Sequence, residues 1–197
     1  MSQRGRHAAR DYAILQLLLQ TGLRLGECAA LDAEDLVVGE RGGHLTVRAG
    51  KGNKARPVPL NATARTALAE YAAVRLGVAP TLAAVARAWP RRRADAGGTP
   101  LWRSQKGGRL SAAAMRCTIA RLVADGARRG LVPPEASAHT LRHTFAAHYL
   151  QAQPGDLLGL AALLGHASLD TTRLYAGPTA AQLAARVDRL ALNAYTG

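Results

Sequence analysis

Six side chains stand where they could together handle a phosphate: Arg24, Lys51, His139, Arg142, His166 and Tyr175. The densest stretch runs from Ser137 to Tyr175. Ser137 is a natural helix N-cap, which puts His139 in the first turn, where unpaired backbone N–H groups and the helix dipole favour an anion. Arg142 follows three residues later and so lies near His139 on one side of that helix. Leu141, Phe145 and Tyr149 take a different side, expected to face the core. Further on, Leu163-Leu164-Gly165-His166 reads as a helix end, with Gly165 as its left-handed stop and His166 projecting as a hydrogen-bond donor. Tyr175, nine residues beyond His166, offers a hydroxyl nucleophile.

Two upstream motifs add what this stretch lacks. In Thr21-Gly22-Leu23-Arg24-Leu25-Gly26-Glu27, Arg24 follows a glycine break, and Glu27 is a candidate orienting partner. In Gly50-Lys51-Gly52, a lysine sits at a turn flanked by glycines. Only three lysines stand beside 23 arginines, so a lysine at this position points to proton transfer, which a guanidinium hardly performs. Each feature also has a plainer reading: Arg24 as a helix-end surface residue, Lys51 as a solvated turn charge, His139 and Arg142 as the outer face of an amphipathic helix. His139 and His143 have metal-ligand spacing, but no glutamate follows the first histidine and no cysteine is near, so His143 and His148 are read as packing or hydrogen-bonding residues.

The elements that must position these groups are mostly helical. Ile14, Leu17 and Leu18 share a face of a helix over Asp11–Gln20, closed by Thr21-Gly22. A second short helix carries Leu25–Ala30. His44–Leu60 reads as a hairpin, with strand pieces at Leu45–Val47 and Arg56–Val58 and a turn over Gly50–Lys54. Pro57 and Pro59 make its second strand an edge. Asn61 caps a helix over Thr63–Arg75, with Leu68 and Ala72 inward. Gly77–Thr99 is less legible: Thr81–Trp89 suits a short helix, while Pro90–Arg93 and Ala96–Pro100 suit an exposed loop. Leu101-Trp102 reads as a buried strand-like piece. Ser111 caps a helix through Met115, Ile119 and Leu122 that ends near Gly126–Gly130. Asp156 caps another through Leu157, Leu160 and Leu164, and Asp170 is the next cap before Tyr175. The fold class is therefore mainly α with a small antiparallel β-sheet.

At 197 residues the chain suits a single domain, or one domain with a tail, long enough to bury a core. Its net charge of +13 and pI near 11.1 favour an anionic polymer as partner, nucleic acid first among them. Met1–Arg10 is basic but has no apolar core segment, so no signal peptide is read. No apolar run reaches bilayer length. Cys28 and Cys117 make no disulfide framework, which suits a reducing cytoplasm.

The motifs Thr21–Glu27, Gly50–Leu60, His139–His143, Leu163–His166 and Tyr175, in that order, resemble the catalytic domain of the tyrosine recombinases, the phage integrase or Xer-like family. The similarity runs from about Arg10 to Thr179, and Leu101–Gln105 fits the family's strand before its middle helices. The resemblance implies the tyrosine recombinase catalytic-domain fold over residues 1–178, without the N-terminal core-binding domain. It implies a C-terminal tail helix over 179–197, expected over Thr179–Leu192, exchanged between protomers or packed in cis. By the same resemblance Arg24 and Arg142 clamp the scissile phosphate of double-stranded DNA, and His139 and His166 add donors. Lys51 protonates the leaving 5′-oxygen, and Tyr175 attacks to form a 3′-phosphotyrosyl link. Such a protein works as a homo-oligomer on DNA, a tetrameric synapse, in a bacterial nucleoid or from a mobile element. It needs no cofactor, ATP or metal, because the covalent link keeps the phosphodiester energy. With an ordinary tyrosine pKa of about 10, only about one phenol in a thousand is ionised at pH 7, so the charges around it matter. Tyr12, Tyr71 and Tyr149 fall on core-like helical positions and Tyr195 in the tail, leaving Tyr175 as nucleophile.

Two other functions share parts of the pattern. A type IB topoisomerase uses the same tyrosine chemistry without exchanging strands, but resembles this pattern with a lysine where His139 stands. A catalytically silent DNA-binding module would keep the charge and lose the chemistry, and the complete set of six residues argues against it.

Overall fold

The computed structural model describes residues 3–48, 55–89 and 98–165, with side chains from His7 onward. Lys51, His166, Asp170, Tyr175, Tyr195, the hairpin turn, most of the loop from Pro90 and the tail helix lie outside the described residues.

Seven helices and three strands are described, the mainly α fold with a small antiparallel sheet that the periodicities imply. Helix α1 (Gln3–Thr21) begins eight residues earlier than expected and buries Ala13, Ile14, Leu17 and Leu18. Tyr12, expected in the core, is 45% exposed, one position off that buried face. After Gly22, at φ +63°, the chain enters α2 (Leu25–Ala30). One turn of 3-10 helix (Ala33–Asp35) then leads into a strand the sequence reading did not separate, β1 (Leu36–Val38). It pairs with β2 (Gly43–Val47), which pairs in turn with β3 (Arg56–Pro59), all antiparallel in the order β1-β2-β3. The register sets Leu45 against Val58 and Val47 against Arg56, and β3 is an edge, as its prolines require.

Caps define the remaining helices. Asn61 Oδ1 accepts from the Ala64 N–H at the start of α3 (Ala62–Leu76), and Thr81 and Ser111 cap α4 (Leu82–Ala88) and α5 (Ala112–Arg128) the same way. A capping box joins Ser137 and Thr140 at the start of α6 (Ala138–Ala152). Asp156 Oδ1 accepts from Gly159 N at 2.8 Å to open α7 (Leu157–Leu164), and Gly165, at φ +64°, closes it. Each such cap contributes about 1 kcal/mol.

One continuous core joins α1, α2, α3, α5 and the sheet. At its centre lies Trp102, fully buried, stacked on Tyr71 with 5.4 Å between ring centroids and donating from Nε1 to the Cys28 carbonyl at 2.9 Å. Its burial stabilises by roughly 5 kcal/mol at most. Leu101-Trp102 is buried as expected but is not a strand. Ser104 N and the Gly108 carbonyl close a tight turn at 2.8 Å, so pairing is reduced to isolated bridges, Asp32 to Pro100 and Arg103 to Arg109. A smaller cluster of Ala146, Leu160 and Leu164, with Phe145 and Tyr149 against it, seats α7 on α6. That contact brings the end of α7 beside the α1–α2 corner.

No helix among the described residues is long and apolar enough to cross a membrane.

Candidate active site

The C-terminal end of α7 leaves carbonyls without partners in its own helix. Three arginines from three other elements supply them. Arg142 of α6 donates from Nη2 to the Leu164 carbonyl at 3.0 Å and from Nη1 to the Gly22 carbonyl at 2.5 Å. Arg24, between α1 and α2, donates from Nη1 to the Leu164 and Gly165 carbonyls, both at 3.3 Å. Arg56 of β3 donates from Nε to the Leu163 carbonyl at 3.1 Å and from Nη2 to the Leu164 carbonyl at 3.3 Å. The Leu164 oxygen is therefore an acceptor shared by all three guanidiniums. The negative end of the α7 dipole favours cations there.

Glu27 is the carboxylate of this cluster. Its Oε1 accepts from Arg24 Nη1 at 3.2 Å and from Arg56 Nη1 at 3.0 Å. Its Oε2 accepts from the Arg24 backbone N–H at 2.9 Å and from Arg56 Nη2 at 3.0 Å. Glu27 thus orients Arg24 at both backbone and head group, as its spacing suggested. Burial pushes the Glu27 carboxyl up, but the Arg56 hydrogen bonds, the Arg24 backbone donor and the charges of both guanidiniums outweigh it and hold the pKa below 4.5. Three guanidiniums and one carboxylate sum to +2, a fixed positive field beside a chain turn. Of these arginines, Arg24 reaches solvent, with 47% of its side chain exposed. A field of this sign suits an anion with distributed charge.

Arg24 and Arg142 are thus brought together. His139, three residues before Arg142 on α6, is not buried with it. Arg142 and Ala146 are the buried residues of α6, whereas His139, about 60° further round at 3.6 residues per turn, is exposed. Leu141, Phe145 and Tyr149, expected to face the core, are half-buried flanks of that inward face. The reason is local: the Gly22 and Leu164 carbonyls point at α6, and only a long donor fills that position. His139 meets the edge of His143 with 4.3 Å between ring centroids. Partial desolvation, followed by the charges of His139 and Arg142, lowers the His143 pKa below 6.5.

Sequence reasoning passed over Arg56. A signal was present: strand alternation sets Arg56 in phase with Val58 and Leu60, both buried, so a charged side chain points inward.

The sequence profile described as the phage integrase family matches residues 1–182. The tyrosine recombinase XerC of Methylobacterium sp. strain 4-46 is 41% identical over 178 residues, 89% of this chain and 48% of that protein. The chain spans about half the length of the curated relatives it matches. Among solved structures, the XerH site-specific recombinase bound to its difH substrate before cleavage superposes with a TM-score of 0.68 at 26% identity. That match covers 96% of this chain and 48% of the other. The catalytic domain of bacteriophage HP1 integrase superposes with a TM-score of 0.50 at 20% identity, covering 98% of this chain and 96% of the domain, a likeness of fold.

Proposed function

Because the chain belongs to the phage integrase family, we propose that it is the catalytic domain of a site-specific tyrosine recombinase acting in DNA recombination and integration. Residues 1–178 are its catalytic unit and 179–197 a tail that engages a neighbouring copy in an assembly on double-stranded DNA. The observation that carries this reading is the meeting of Arg24 and Arg142, from distant parts of the chain, on the Leu164 carbonyl at the end of α7. The net charge of +13 supplies the general attraction to a polyanion.

Arg24 and Arg142 hold the non-bridging oxygens of the scissile phosphate, where charge accumulates during transfer. Tyr175 Oη, passing its proton to an imidazole of the site (His139 or His166), attacks phosphorus as the P–O5′ bond breaks. The leaving 5′-oxygen takes a proton from Lys51, and His139 and His166 act as further donors. The products are a 3′-phosphotyrosyl link and a free 5′-hydroxyl. A 5′-hydroxyl from another strand reverses the step: its oxygen attacks phosphorus, its proton returns to Lys51, and the Tyr175 oxygen leaves and takes back its proton from the imidazole. One phosphodiester is exchanged for another, so no external energy enters.

The test is covalent capture on a labelled duplex nicked near the cleavage site, so that the short 5′-hydroxyl fragment diffuses away. The expected result is a denaturation-resistant protein–DNA adduct with wild type and none with Tyr175→Phe, at similar DNA affinity. An adduct formed by the phenylalanine variant would refute the nucleophile, and none with either protein would refute the activity.

A further inference from the structure

We infer that Arg56 is a positioning residue of this site: one guanidinium, clamping Glu27 and the last carbonyls of α7, sets where Arg24 and Arg142 stand relative to each other. The inference rests on the recombinase reading for its reaction and on the geometry for everything else.

All three Arg56 nitrogens are engaged. Nη1 and Nη2 form a fork on the two Glu27 oxygens, both at 3.0 Å, while Nε and Nη2 reach the Leu163 and Leu164 carbonyls at 3.1 and 3.3 Å. Its side chain is 18% exposed and that of Glu27 19%. The planar fork matches a carboxylate as an ammonium does not. The chain is also shaped around the guanidinium: a Cβ on Gly165 would come within 2.5 Å of Arg56 Cζ. The fork neutralises the Arg56 charge on the Glu27 carboxylate, so Arg56 acts through its neighbours and not on the phosphate.

Two routes run from Arg56 to the clamp. Through Glu27 it fixes Arg24, whose backbone N–H and Nη1 both bind that carboxylate. Through the Leu164 carbonyl it fixes the acceptor on which Arg142 and Arg24 also dock. Loss of the fork frees Glu27 to rotate and the α7 end to shift, and both arginines move with them. A displacement of about 1 Å in a clamp costs on the order of 100-fold in rate.

The experiment uses the full chain and the nicked duplex, with single-turnover cleavage, DNA affinity and melting temperature measured side by side. Arg56→Lys keeps the charge and loses the fork; Arg56→Ala loses both. The expected result is DNA affinity within about threefold of wild type and cleavage about 100-fold slower for both variants. With a neutral methylphosphonate at the scissile position, a displaced clamp has less charge to meet, and the deficit should shrink; a general loss of packing would slow both substrates alike. In the double variant Arg56→Ala/Glu27→Ala, the rate should match the slower single variant, because the two residues act in series. Wild-type cleavage by Arg56→Lys, multiplicative losses in the double variant, an undiminished deficit on the methylphosphonate, or failure of both Arg56 variants to fold would each overturn the inference. Tyr175→Phe, run in parallel, separates the two levels. If it is inactive and Arg56→Lys is normal, the positioning role alone fails; if it still forms the adduct, the assigned nucleophile fails, and with it the reading on which the inference rests.

Discussion

Gly22→Ala is the perturbation whose size the structure lets one work out most directly. Gly22 sits at φ +63° between α1 and α2, and a Cβ there would stand 2.5 Å from Phe145 Cδ1 and 2.7 Å from Leu164 Cδ2. Two costs therefore combine. The left-handed backbone costs an L-residue about 1–2 kcal/mol, of which about 0.4–1 is returned by a stiffer unfolded chain. Overpacking against two core side chains adds about 1–3 kcal/mol. Gly77 supplies the control. It ends α3 at φ +68°, with nothing within 4 Å of its Cβ position, so Gly77→Ala carries the backbone cost alone. Urea denaturation of both variants should show Gly22→Ala less stable than Gly77→Ala by about 1–3 kcal/mol, or roughly 3–9 °C in melting temperature. The Gly22 carbonyl accepts from Arg142 Nη1 and Leu164 carries the shared carbonyl, so relaxation at Gly22 also shifts the Arg142 guanidinium. Equal stabilities for the two variants would refute the claim that Gly22 is held by side-chain contact as well as by its dihedral angle.

Acid should weaken the cluster with a defined sign. The Glu27 carboxyl lies below its unfolded value of 4.5 in the fold, so its contribution is complete above that pH and is lost as pH falls through the folded pKa. The stability gap between wild type and Glu27→Gln should be constant from pH 6 to about pH 5 and should close below about pH 4.5, followed by urea titration at each pH; a gap that widens with acid would contradict the assignment. The two thiols should separate cleanly. Burial raises the Cys28 pKa to about 12, while Cys117 is exposed on α5. A disulfide reagent at pH 8 should therefore titrate one thiol in the native chain and two in denaturant, and rapid reaction of both in the native state would show that the core opens around Cys28.

Local chemistry made much of this fold legible. Asn61, Ser111, Ser137 and Asp156 cap the helices their types suggested, and Gly165 turns left-handed where a helix stop was expected. Pairing was harder to read. Strand β1 is only three residues long, and Leu101-Trp102 carries strand-like residues, yet a tight turn cuts its ladder short. Neither depends on local preference; both depend on what lies alongside. The site was legible as residue types and only partly as geometry. Arg24 and Glu27 pair at the spacing i, i+3, which a sequence displays directly. The inward turn of Arg142 follows from two carbonyls on other elements, and the role of Arg56 from a helix end far along the chain. Amphipathic periodicity assigns an arginine to the outside, and a cluster of orphan carbonyls reverses that assignment.

The edge formed by β3 has one more consequence. Leu60 N donates to the Gly43 carbonyl, so by alternation the N–H groups of residues 56, 58 and 60 face β2 and those of 57 and 59 would face away. Those two positions are Pro57 and Pro59, which have no N–H to present. A strand laid along this margin would find acceptors without donors and leave half its bonds unmade. Copies of this chain crowded side by side therefore cannot fuse through β3 into a shared sheet. Any contact along this margin is left to side chains, which meet and part without a backbone ladder to break.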